Sequence, residues 1–204
     1  MPTLSSIAIV FACYAFGCAA ISYYVVKWRT GQDLRESGSG TVGSTNAGRI
    51  LGTKSYIVLT LLDIFKGWAA LAFAAWCGLS GWWLCAAGLA VVAGHLWPAQ
   101  LGFRGGKGMA TSHGAVLYTA PWAGLAMWGV FVAGKLLLRS STLGAMSAFF
   151  AAPFLVLAWQ PAVEPLVMVV VMSAVVILSH RRNVRDALQR RRDRSASLTQ
   201  STAA

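Results

Sequence analysis

The chain has 204 residues, 57% of them hydrophobic and 11% charged, with a mean hydropathy of +0.62. That balance excludes an ordinary soluble domain and predicts one all-α, polytopic integral membrane helix bundle. Seventeen Lys and Arg oppose six Asp and Glu, and the net charge of +11 falls in loops and the tail, where basic residues mark the cytoplasmic side; no basic helix with interleaved aromatics suggests nucleic acid as a partner.

A stretch of about 20 apolar residues crosses a bilayer. The first such run, 4–26, contains no Lys or Arg, and cations arrive only at Lys27 and Arg29. It lacks the basic start of a signal peptide and reads as an uncleaved span with its N-terminus outside. Further spans are expected over 56–76 and 82–101, so the loops 27–55 and 102–113 share the cytoplasmic face. Pro121 divides the next apolar material, which predicts two short helices, 114–120 and 122–138, as a re-entrant or half-depth pair. Spans over 143–159 and 163–179 follow, around a turn at Gln160–Pro165, and return the chain to the inside. Trp28, Trp76, Trp82, Trp83, Trp97 and Trp159 sit near these ends, as interfacial aromatics do. About seven helical segments result. Residues 1–188 form the membrane domain, and 189–204, rich in Arg, Ser and Thr, read as a disordered basic tail. Cys13, Cys18, Cys77 and Cys85 have no CxxC or His partner and read as small core residues.

The polar motifs gather on the cytoplasmic side. Gly38 to Arg49 combines glycines, hydroxyls, Asn46 and Arg49; as composition alone, it could also be a flexible linker. Gly94-His95-Leu96-Trp97-Pro98 leads into Gly102-Phe103-Arg104-Gly105-Gly106-Lys107-Gly108-Met109-Ala110-Thr111. Glycine-freed amides, two fixed cations and a hydroxyl suit a phosphate. The run is not a Walker A loop, because Gly108 follows Lys107 where Ser or Thr should stand. His180 and Asn183 are three apart and share a helix face; the surrounding basic cluster could equally be a stop signal. Arg139-Ser140-Ser141-Thr142 could be a helix cap. Asp63 and Lys66, within the second span at i and i+3, suggest a structural brace. There is no carboxylate pair for acid and base work and no metal site is expected.

These motifs, in this order, resemble the bacterial acyl-phosphate:glycerol-3-phosphate acyltransferases of the PlsY type, over nearly the whole chain. Gly38-Ser39-Gly40, Gly43, Thr45-Asn46 and Arg49 resemble the first family motif, and Leu62-Asp63 with Lys66-Gly67 the second-helix signature. His95, Pro98 and Phe103 to Thr111 resemble the second motif, Thr142-Leu143 the hydroxyl-Leu step, and His180 with Asn183 the third motif. Departures are Thr41 for Asn, Ser44 for Ala, Arg104 for Lys, Thr142 for Ser, and Asp186-Ala187 for an Arg-Leu pair.

The resemblance implies acyl transfer from acyl phosphate to the 1-hydroxyl of glycerol 3-phosphate, the first acylation of phospholipid synthesis. It implies no cofactor, a bacterial inner-membrane location, and a functional link to the enzyme that supplies acyl phosphate. Carried over residue by residue, Lys107, His180 and Asn183 are catalytic and, with Arg49 and Thr142, hold glycerol 3-phosphate. Ser39, Thr45, Asn46 and the Gly105, Gly106 and Gly108 amides cradle the acyl phosphate; His95, Asp63 and Lys66 support them. The His-x4-Asp acyltransferase dyad is absent, since Gln100, Tyr118 and Arg185 stand five residues after His95, His113 and His180. No cysteine adjoins a histidine, which disfavours a thioester intermediate. A carrier for phosphorylated anions would place polar groups at the bilayer midplane in repeated halves, and a lipid-binding scaffold would leave the glycine motifs without a purpose.

Overall fold

The computed structural model describes residues 3–159 and 162–202. Ten α-helices occur among them. They are α1 (Thr3–Gly17), α2 (Ile21–Thr30), α3 (Ser44–Leu51), α4 (Thr53–Trp76), α5 (Gly81–Leu96), α6 (Met109–Thr119), α7 (Pro121–Leu138), α8 (Ser141–Trp159), α9 (Val163–Ser179) and α10 (Arg181–Thr202). The bundle is all-helical, as the hydropathy predicts. Helices α4, α7 and α8, and the joined stretches Thr3–Thr30 and Gly81–Leu101, are long and apolar enough to cross a membrane; α9 qualifies when taken with the start of α10.

The three additional helices, beyond the seven expected, are α2, α3 and α10. The first span is broken after Gly17, leaving backbone carbonyls without helical partners. Two side chains satisfy them: the buried Lys66 ammonium donates to the carbonyls of Gly17 at 3.2 Å and Ala19 at 3.0 Å, and the amide of the exposed Gln100 donates to that of Cys18. In an apolar surround such groups demand partners, and these partners come from far along the chain. The loop 27–55 carries a 3-10 turn at Leu34–Glu36 as well as α3. Residues 189–202, expected to be disordered, continue α10. Helix-favouring Arg, Ala, Leu and Gln populate it, and Gln189 donates to Asp193 one turn on at 3.0 Å. Gln160 and Pro161 of the expected turn lie outside the described residues, as do 203 and 204 of the tail.

Helix α6 begins at Met109, earlier than the expected 114, yet has only 11 residues. Pro121 opens α7 at a position where its missing N–H costs nothing, giving an 18-residue helix. Two clusters form the core. The larger joins Leu71, Val91, Val116, Met127, Phe149, Val156, Met168 and Met172 across the bundle. The smaller joins Tyr23, Val26, Leu34, Val42, Ala47, Leu59 and Leu101 beneath the first loop. Helices approach closely where they carry glycine: a Cβ on Gly67 would strike the Thr111 carbonyl, and one on Gly114 that of Ile64, locking α4 to α6. Phe11, Trp76, Leu137, Phe150, Phe154 and Leu178 stay exposed, as lipid-facing side chains do.

Candidate active site

The loop 31–43 is ordered by one amide. Asn46 is 1% exposed. Its Nδ2 donates to the carbonyls of Leu34 (3.0 Å), Ser37 (2.8 Å) and Thr41 (3.0 Å), while its Oδ1 accepts from the Ser39 amide at 3.0 Å. Asn46, expected at the acyl phosphate, is therefore fully engaged in holding the loop and does not line the cleft described below. Arg35 ties the same loop to the next one. It donates to the Leu101 carbonyl at 3.1 Å, pairs with Asp33 at 2.6 Å and lies over the Tyr23 ring, 5.3 Å from its centroid.

The glycine run after α5 is pinned in a comparable way. The amides of Gly105 and Gly106 donate to the carbonyls of Leu96 and His95, each at 3.0 Å, and the Gly105 carbonyl accepts from Val42 at 3.3 Å. These two amides, expected to cradle phosphate, are already bonded. Glycine at 106 has a steric reason instead, since a Cβ there would collide with the His95 imidazole. That ring is held in turn by a buried cluster: Lys66 Nζ lies 3.1 Å from His95 Nδ1 and 3.2 Å from Asp63 Oδ1. With the ammonium donating, Nδ1 accepts and the ring hydrogen sits on Nε2, facing Gly106. Asp63, Lys66 and His95 thus brace the break in the first span and the loop at once. Gly108, at φ 78°, caps α6 in the left-handed region that favours glycine.

Lys107 emerges between these anchors. Its Nζ donates to Asn183 Oδ1 at 2.6 Å, and its carbonyl accepts from Ser179 Oγ at 3.0 Å, joining the loop to the α9–α10 corner. Burial, first, and then Arg49 and Arg182 push the Lys107 pKa below the usual lysine range, against the opposing pull of Asp186. His180 is buried and donates from Nδ1 to the Val176 carbonyl at 2.8 Å. In the neutral ring Nε2 is then the acceptor.

One cleft of about 590 Å³ collects these groups. Ser39, Thr45, Arg49, Lys107, Gly108, Thr142, His180 and Asn183 line it, together with Asp63 and His95. Gly105, Gly106, Asn46 and Lys66 stand behind the lining. The first turns of α3, α6, α8 and α10 open on the cleft through Gly43 to Thr45, Gly108 to Ala110, Ser141 with Thr142, and Asn183. Helix starts carry unpaired N–H groups and a partial positive charge, so this end favours anions.

Further along the same helices the lining becomes apolar, with Ile57, Leu61 and Ile64 of α4 opposite Met127, Trp128 and Phe131 of α7 and Ala148 and Phe149 of α8. Among the described residues α4 packs closely on α6, and α7 on α8, but α4 does not pack closely on α7 or α8. The apolar arm consequently opens sideways where Ile57, Leu61 and Trp128 are exposed. Sequence reasoning missed these wall residues, because their helical spacing is the same as that of any lipid-facing side chain. Ser179, Arg35 and Lys135 were missed as well.

The family model described as glycerol-3-phosphate acyltransferase matches residues 7–190. Glycerol-3-phosphate acyltransferase 1 of Desulfitobacterium hafniense (strain Y51) is 39% identical over 188 residues, covering 90% of this chain and 93% of the relative. The glycerol-3-phosphate acyltransferase of Aquifex aeolicus (strain VF5) is 36% identical over 201 residues, covering 94% and 100%. Among solved structures, the glycerol 3-phosphate form of PlsY (YgiH), an integral membrane glycerol 3-phosphate acyltransferase, superposes with a TM-score of 0.85 at 34% identity, covering 92% of this chain and 94% of that one. Its lysophosphatidic acid form gives 0.81 at 32% identity. The chain belongs to the glycerol-3-phosphate acyltransferase family.

Proposed function

We propose that the protein transfers a fatty acyl group from acyl phosphate to the 1-hydroxyl of glycerol 3-phosphate, releasing 1-acylglycerol 3-phosphate and inorganic phosphate. The observation that carries this reading is the two-ended cleft: cations and four helix starts at one end, an apolar arm open to lipid at the other. An amphiphile with a phosphate head fits both ends. Glycerol 3-phosphate, whose complex is one form of the similar solved structure, fits the polar end alone.

The chemistry needs little more than positioning. The glycerol oxygen forms a bond to the acyl carbon, the bond from that carbon to the phosphate oxygen breaks, and phosphate leaves with the electron pair. Arg49, Lys107, Thr142 and Asn183 would hold glycerol 3-phosphate beside the acyl carbon, and Ser39, Thr45 and Gly108 would face the acyl phosphate. Holding both reactants in line replaces an encounter in solution, and the cations stabilise charge gathering on the leaving phosphate. The hydroxyl proton passes to His180 Nε2 or to a substrate phosphate. Residues 1–188 would constitute the acyltransferase domain, in the bacterial cytoplasmic membrane with the N-terminus outside and the site inside.

Purified protein in detergent, given glycerol 3-phosphate and palmitoyl phosphate, should release lysophosphatidate and phosphate in equal amounts. Lys107→Ala should lose at least about 100-fold in kcat/KM, the scale for removing one preorganised charged donor. Turnover with acyl-CoA but none with palmitoyl phosphate would refute the donor assignment.

A further inference from the structure

The apolar arm of the cleft is faced on one side by α7, and the α7 residues on it are spaced so that one more belongs with them. Met127, Phe131 and Lys135 follow at i, i+4 and i+8, hence on one stripe of the helix, and all three line the cleft. Lys135 lies about 12 Å along α7 from Met127, at 1.5 Å per residue, towards the α7–α8 corner, with its backbone against Gly144 of α8.

Its backbone is held firmly there. A Cβ on Gly144 would lie 2.6 Å from the Lys135 nitrogen and 2.7 Å from the Phe131 carbonyl oxygen, and one on Gly134 would lie 3.0 Å from the Gly144 Cα. The α7–α8 corner turns on Arg139 in the left-handed region at φ 49°. Two helices locked this tightly give the exposed Lys135 side chain one fixed root beside the cleft mouth. None of the ion pairs among the described residues involves it.

The charges on the cleft wall are unevenly placed. Arg49 and Lys107 stand on the side of α3 and the second loop, and Lys107 is already bonded to Asn183. Asp63, the carboxylate on the lining, is paired with Lys66. The reaction proposed above brings two phosphates into this space, each carrying about −1.5 to −2 at pH 7. A molecule whose tail lies on Phe131 and Met127 has its head where that stripe ends, at Lys135.

We propose that Lys135 binds the phosphate of the acyl donor, and so separates the two anionic substrates: Arg49 and Lys107 take glycerol 3-phosphate, and Lys135 takes the lipid-tailed phosphate arriving from the bilayer. This rests on the donor assignment above. It makes Lys135 a specificity residue for one substrate, distinct from the loop cations.

Steady-state kinetics of the full chain in detergent, with palmitoyl phosphate and glycerol 3-phosphate varied in turn, test it. Lys135→Met keeps the aliphatic stem and removes the charge. Its KM for palmitoyl phosphate should rise about tenfold, the scale of one lost charge-assisted contact at a half-open site, with kcat and the KM for glycerol 3-phosphate within about twofold of wild type. Lys135→Arg should restore the KM for palmitoyl phosphate. An unchanged KM for palmitoyl phosphate, a rise confined to glycerol 3-phosphate, or equal rises for both would overturn the proposal while leaving the activity intact. Wild-type protein inert toward palmitoyl phosphate would instead bring down the donor assignment, and this proposal with it.

Discussion

Lys107 combines a short bond to Asn183 with a surround that disfavours its charge. Its folded pKa is lowered, so the ammonium exists below that value and is lost as pH rises through it. If the charged form binds phosphate, kcat/KM should fall on the alkaline side at a pH below the ordinary lysine value of about 10.4. Lys107→Arg should carry that limb upward, because guanidinium does not deprotonate in this range. A limb that stays in place in Lys107→Arg would assign it to another group. Asn46 shows how much of the site the sequence conceals. Composition marks it as a polar residue in a glycine loop, but whether its amide meets a ligand or three carbonyls depends on the path of the loop. Asn46→Asp replaces the donating amide with a carboxylate facing those carbonyls. It should destabilise the protein by about 3 kcal/mol or more, read as a lowered Tm in detergent. Gly105 and Gly106 make the same point: their amides were legible as free donors only because their acceptors, His95 and Leu96, belong to the end of a helix whose last turn no motif displays.

Among the elements, apolar length alone predicted the 163–179 helix to the residue and placed α4 and α8 to within three. It could not show the break after Gly17, since the groups that make the break tolerable are Lys66 and Gln100, distant in sequence. It also hid the start of α6, because Met109 to His113 belong to a run whose glycines suggested loop. Helices α4 and α6 meet through Gly67 and Gly114, where any side chain would strike the facing backbone. Gly67→Ala and Gly114→Ala should each cost about 1–3 kcal/mol from overpacking, seen as a lower Tm, and should also depress activity, because α6 carries Gly108 to Ala110 on the cleft. Gly129→Ala, at a helical position with nothing nearby, is the control and should lower neither.

At the scale of the whole molecule, the polar end of the cleft draws on the first loop, the second loop, the α7–α8 corner and the α9–α10 corner, so all four must face one compartment. Single cysteines at Glu36, Arg104, Ser140 and Arg185, in a background with the four native cysteines replaced, should all react with a membrane-impermeant thiol reagent from the same side. Labelling of any one from the opposite side would contradict the arrangement. The broken first span has a bearing on how the chain is made. Ribosomal synthesis delivers residues 3–30 to the bilayer before Lys66 or Gln100 exists, so in the bent form the carbonyls of Gly17 and Cys18 would then lack the side-chain donors that meet them. The nascent segment is expected to enter as one unbroken helix and to bend only when α4 and α5 arrive. The loop that organises the headgroup end would therefore be a late product of biogenesis, completed by the very side chains that later brace it.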